Sequence, residues 1–118
     1  MKRDWDLIRK ILLEIERKES AKFENITIQE FEFGKIAEHV AILKEAGLIE
    51  AETPRSASGT FKLAIVSRLT WEGHEFMELS RNDSFWNKAI KQMKDKALPA
   101  TISVITEVIK EIIKNSIT

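Results

Sequence analysis

An α+β fold is what the sequence predicts, and three observations lead there. Apolar residues recur at helical spacing across residues 4–18 and again across 34–46. Directly after the second segment, Gly47 and Leu48 begin an extended run, and a Pro/Ser/Gly-rich cluster at 53–60 separates it from another, the pattern of a β-hairpin with a long loop. Three more helical segments occupy the rest of the chain. Helix, short strand, helix and hairpin follow one another in the order of a winged helix-turn-helix core. The expected organisation is therefore a winged-helix-like core over residues 1–80 and a helical C-terminal extension over 81–118, packed on the core or on a partner.

Each element has its own justification. In the first helix, Asp4 is a natural N-cap and Asp6 sits where the helix dipole favours negative charge. Leu7, Ile8, Ile11, Leu12 and Ile15 make its apolar side. "NITIQEF" (25–31) alternates and reads as a short strand. No full helix fits between it and Ile36. The helix at 34–46 turns Ile36, Val40 and Leu43 to the core, and Gly47 permits the left-handed cap that ends it. Leu48–Glu52 leaves as a strand, and "FKLAIVSRLT" returns with Phe61, Leu63 and Ile65 alternating against Lys62, Ala64 and Val66. Thr70 can cap "WEGHEFMELS", in which Gly73 permits close backbone approach. Asp83 can cap "SFWNKAIKQMKDK", whose apolar side is Trp86, Ala89, Ile90 and Met93, and Pro99 ends that run. The last helix spans 101–115.

Composition narrows the function classes. The 118 residues carry 19 Lys/Arg and 19 Asp/Glu, so there is no overall positive excess of the kind that phosphate binding favours. There is no cysteine, which excludes disulfides, thiolate nucleophiles and Cys-rich zinc sites. His39 and His74 lie far apart with no metal-ligand spacing around them, and His39 is expected to be an ordinary packed or boundary residue. No P-loop, nucleophile elbow or dinucleotide glycine pattern occurs. The expectation is no enzyme, no metal and no cofactor. The opening "MKRDWDLIRK" is charged, with no apolar signal core, and no apolar stretch approaches the ~18 residues of a membrane span. A cytoplasmic protein without a membrane partner is expected.

The charge distribution bears most on function. With Ile36, Val40 and Leu43 facing the core, the opposite face of their helix carries Glu38, Ala41, Ile42 and Glu45. From Glu24 to Glu52 there are seven carboxylates against Lys35 and Lys44. A recognition helix sits within a wall of phosphates, which would repel such a face. Ala41 and Ile42, rimmed by Glu38 and Glu45, are therefore candidates for binding a partner protein. Basic residues lie elsewhere: Lys88, Lys91 and Lys94 on the helix after Asp83, and Arg55 and Lys62 in the hairpin. These five are the candidate nucleic-acid contacts of an alternative reading. Ile105, Ile109 and Ile112 form a seam on the last helix, broadened by Val108 and Ile113. That seam either packs back on the first helix or forms a homodimer or partner interface. Trp5, Trp71 and Trp86 are read as core anchors in preference to base-stacking platforms.

"MKRDWDLIRKILLEIE", "IAEHVAILKEAGLIEA" and "RLTWEGHEFMELSRNDSFWNK" together resemble the family known as domain of unknown function 2513. The last block is the most specific, and the three span most of residues 1–88. The resemblance implies a winged-helix-like fold, a phage or prophage setting, and no catalytic residues to carry over. The chain departs from that family's pattern at two positions. Glu38 stands where an aromatic residue is usual before His39, and Glu32 where Ser or Asp is usual. Both changes add negative charge.

The expected function is a non-enzymatic interaction module that binds protein and self-associates. The alternative is a DNA-binding transcriptional regulator acting through the hairpin and the Lys88/Lys91/Lys94 face.

Overall fold

Asp4 sets the first helix: its carboxylate accepts the Leu7 N–H at 3.1 Å, satisfying one of the donors a helix start leaves open. In the computed structural model, which describes residues 2–117, this helix is α1 (Trp5–Arg17), and Leu7, Ile8, Ile11, Leu12 and Ile15 are all buried. The described chain is α+β, with five helices and one three-stranded antiparallel sheet. It divides into two compact units, Met1–His74 and Glu75–Thr118, and the division falls inside one helix.

In the first unit, β1 (Glu24–Asn25) is much shorter than the strand expected over 25–31. Ile26 still bonds to the Ala64 carbonyl at 2.9 Å and is buried. Beyond it the chain leaves the sheet and turns, with the Phe31 N–H on the Ile28 carbonyl and Glu30 at φ 77°. A single turn thus occupies the stretch where no full helix was expected. Next comes α2 (Phe33–Glu45), with Ile36, Ala37, His39, Val40 and Leu43 buried. Its end is a Schellman closure. Gly47, at φ 78°, donates to the Lys44 carbonyl, and Leu48 donates to that of Leu43.

The sheet order is β1-β3-β2, with β2 at Ile49–Glu52 and β3 at Ile65–Leu69. Opposite β2, the register passes from Arg68 to Val66, so Ser67 is one residue extra in β3. This bulge changes the parity of the strand. Ala64 and Val66 point inward before it and Leu69 points inward after it, while Leu63 is left exposed. The loop between β2 and β3 is ordered by its own bonds: Ser56 to Thr60, Gly59 to Ser56, Lys62 to Pro54, and a bridge pairing Arg55 with Phe61.

Thr70 caps α3 (Trp71–Ser80) by accepting the Gly73 N–H at 3.1 Å. The same hydroxyl donates to the Gly47 carbonyl, and the Thr70 N–H donates to Leu48 at 2.9 Å. A Cβ on Gly73 would overlap the Leu48 carbonyl, so α3 starts in direct backbone contact with the entry to β2.

In the second unit, α4 (Asp83–Asp95) is capped by Asn82, whose side chain accepts the Phe85 N–H at 2.9 Å. Asp83, expected as the cap, is the first helical residue, one position along. Trp86 meets Phe76 edge-on, with ring centroids 6.2 Å apart. The helix closes with Ala97 at φ 50°, a left-handed position where a side chain is strained by about 1 kcal/mol. α5 (Ile102–Ser116), capped by Thr101, packs on α4.

Two backbone substitutions test these assignments by chemical denaturation. Gly73→Ala should lose about 2 kcal/mol or more, because the added methyl group meets backbone that cannot move aside. Ala97→Gly should gain about 1 kcal/mol, because its left-handed conformation is retained without a Cβ.

Candidate interaction surface

On α2, Glu38, Ala41 and Ile42 are half-buried and Glu45 is exposed. The helix has two lysines, and each is turned to an acid of its own unit. Lys35 Nζ lies 2.8 Å from the Asp4 carboxylate and 5.3 Å from the centre of the Phe31 ring. Lys44 Nζ lies 3.4 Å from Glu52. Among the described residues, Glu38 and Glu45 have no ion-pair partner. The four residues predicted from helical periodicity therefore do share an outward stretch of α2, and its nearby cations are engaged elsewhere.

His39 is fully buried, with 0% exposure, and is bonded at both ring nitrogens. Nε2 accepts the Asp4 backbone N–H at 2.9 Å, and Nδ1 lies 2.8 Å from the Lys35 carbonyl. A carbonyl can only accept, so Nδ1 carries the hydrogen and the ring is the neutral Nδ1–H tautomer. The imidazole joins the start of α1 to α2, a packed role as expected but more specific than packing alone. Asp4 then serves three groups: it caps α1, pairs with Lys35 and donates its N–H to His39. Burial pushes its carboxyl pKa up, but the Lys35 hydrogen bond, the Leu7 N–H and the Lys35 charge outweigh this. The net result lies below the ordinary 3.8.

In the hairpin, the Arg55 guanidinium lies 4.0 Å from the Phe61 ring centre and donates to the Gly59 carbonyl at 3.0 Å, while Lys62 is exposed. On α4, Lys88, Lys91 and Lys94 are all exposed. On α5, Ile105 and Ile109 have 0% exposure and Ile112 has 8%. The seam predicted to face either α1 or a partner is covered within this chain, and α4 is the helix packed on it in its own unit. Val108 and Ile113 are half-buried.

The tryptophans separate. Trp86 is a buried anchor and Trp5 is half-buried with the Arg3 guanidinium 5.8 Å from its ring. Trp71 is 74% exposed, which corrects the expectation of a core anchor. The helix explains the difference. Gly73 faces the sheet, and a residue two positions earlier points about 200° away. The glycine was the available signal, because the close approach it allows fixes which side of α3 faces out.

Among the described residues no cluster of three or more His, Asp or Glu could hold a metal ion, and no helix is long and apolar enough to cross a membrane. An open cleft of about 470 Å³ lies between α1 and residues 27–30. Of its charged lining, Arg17 and Glu14 pair with each other at 2.7 Å, and Lys10 lies over Phe31 at 5.2 Å.

Comparison with known proteins gives two matches. The family described as "Hypothetical protein (DUF2513)" matches residues 2–99. A Haemophilus influenzae protein named "Uncharacterized protein" is 36% identical over 116 residues, covering 96% of each chain. No solved structure matches.

The Asp4 network makes an acid-stability prediction. A depressed folded-state pKa contributes stability that is fully present above the unfolded value and lost as pH falls through the folded one. The wild-type melting temperature should therefore drop as pH falls below about 4. Asp4→Asn keeps a capping side chain but removes the titrating charge, so its melting temperature should fall less over the same range.

Proposed function

The chain belongs to the DUF2513 family, and we propose that it is a non-enzymatic, cytoplasmic protein-interaction module built on a winged-helix arrangement. The strand order β1-β3-β2, with α1 against α2 and β3, supports that arrangement: α2 takes the recognition position and the β2–β3 hairpin is the wing. The resemblance to phage and prophage proteins suggests a mobile-element setting.

The observation that carries the function is the charge on α2. A helix entering a major groove presents cations to phosphates and donors or acceptors to base edges. Here Lys35 and Lys44 are paired to Asp4 and Glu52, and Glu38 and Glu45 flank Ala41 and Ile42. A small apolar centre with a charged rim fits the anatomy of a protein interface. The partner contacts are assigned to Glu38, Ala41, Ile42 and Glu45. Ile105, Ile109 and Ile112 are left out of the interface, because their burial in the monomer removes the seam on which self-association was expected to rest.

One observation favours the DNA-binding regulator. Lys88, Lys91 and Lys94 are exposed, and among the described residues none has an ion pair. Arg55 and Lys62 would be the wing contacts in that case, although the Arg55 guanidinium is already stacked on Phe61.

Gel shift with random duplex DNA separates the two readings. The wild type should give no shift even at low salt, and Glu38→Lys combined with Glu45→Lys should create salt-sensitive binding. A wild-type shift that is abolished by Arg55→Ala with Lys62→Ala would replace the present reading with the regulator.

A further inference from the structure

Trp71 has no place in the surface assigned above, yet it is the most exposed of the three tryptophans. Tryptophan is highly buried on average, so an indole left 74% exposed on a helix needs a reason. Its position is also well fixed. Thr70 caps the helix, and Gly73 lies against the Leu48 carbonyl, so the first turn of α3 cannot roll to cover the ring.

The charged residues of its own helix have one sign. Between Trp71 and Ser80, α3 carries Glu72, Glu75 and Glu78 and no Lys or Arg. All three glutamates are exposed. Glu75 lies one helical turn from Trp71 on the same face, and Glu72 is beside it. Glu78 is engaged by Arg81 at 3.1 Å, which leaves Glu72 and Glu75 as the other two carboxylates of α3. An aromatic face with two adjacent carboxylates suits a guanidinium or ammonium group, which the ring attracts through its quadrupole and the carboxylates through charge. The same charges oppose a phosphate backbone.

We infer that the exposed face of α3, centred on Trp71 with Glu72 and Glu75, docks an arginine- or lysine-bearing segment of a partner protein. The surface is separate from α2. It is tested without altering Glu38 or Glu45, so its failure and the failure of the α2 assignment can be told apart.

The test is a titration of the full chain at low salt with a short peptide alternating arginine and glycine, followed by tryptophan emission and by calorimetry. Matched controls are a glutamate–glycine peptide and a single-stranded oligonucleotide. The wild type should bind the arginine peptide alone, with affinity falling as salt is added and with a change in emission from the exposed indole. Trp71→Ala should bind about tenfold more weakly with an unchanged melting temperature, and Trp71→Phe should restore part of the loss. Glu72→Lys with Glu75→Lys should abolish binding with the indole still in place. The inference is overturned by a wild type that does not bind the peptide, or by a Trp71→Ala variant that binds equally well. It is also overturned if the oligonucleotide binds through Trp71, or if sedimentation shows a wild-type dimer that Trp71→Ala dissociates.

Discussion

The corner where α2 ends and α3 begins holds the first unit together. Gly47 reverses the chain in a left-handed conformation, and within a few residues three contacts converge on it. Its carbonyl receives the Thr70 hydroxyl, the neighbouring Leu48 carbonyl receives the Thr70 N–H, and Gly73 rests against that second carbonyl. Polar backbone where a turn packs against a helix start needs partners, and this arrangement supplies them while bringing two segments of chain more than twenty residues apart into register. Moving any one of them alters where α2 points, how β2 pairs with β3 and which side of α3 faces out. The presentation of Trp71 follows from a glycine and a threonine hydroxyl that it does not touch.

A second constraint acts at the other end of α2. His39, Asp4 and Lys35 form a small polar network in which backbone and side-chain groups satisfy one another. The network bears on function because it removes Lys35 from the outward face, just as Glu52 removes Lys44. A residue's formal charge in the sequence thus differs from what it offers a partner. Of the seven carboxylates counted between residues 24 and 52, Glu24, Glu50 and Glu52 are themselves paired, with Lys18, Arg68 and Lys44, so the acidity that α2 presents outward rests on Glu38 and Glu45.

Most of the architecture was legible in the sequence because it rests on local rules. Helical spacing located α1, α2, α4 and α5, and glycine and threonine marked the ends at Gly47 and Thr70. What was not legible depends on tertiary geometry. Residues 25–31 alternate as a strand would, but β3 offers pairing only to the start of that run, and the remainder turns away. The Ile105/Ile109/Ile112 stripe has the same appearance whether it meets a sister helix or another molecule, and only its packing against α4 within this chain distinguishes the two. The expectation of a core Trp71 rests on apolar area, whereas its exposure is decided by orientation. The facing of Gly73 carried that information. That Glu38, Ala41, Ile42 and Glu45 share one stretch of α2 follows from periodicity alone, since they are neighbours on one helix.

Ser67 has a consequence for how the chain can vary in length. As one residue inserted into β3, it shifts the alternation so that Ala64, Val66 and Leu69 all reach the interior from a single strand. Losing it would leave Val66 opposite Ala51, Arg68 opposite Glu50 and Leu69 opposite Ile49 in an unbroken ladder, whereas one further residue, with no second bulge to absorb it, would exchange the two faces on one side of the insertion. Lengths on either side of the hairpin are therefore not interchangeable. Insertions and deletions can accumulate around residues 56–60, where the loop closes on itself, whereas β3 can shorten only at its bulge without exchanging its two faces.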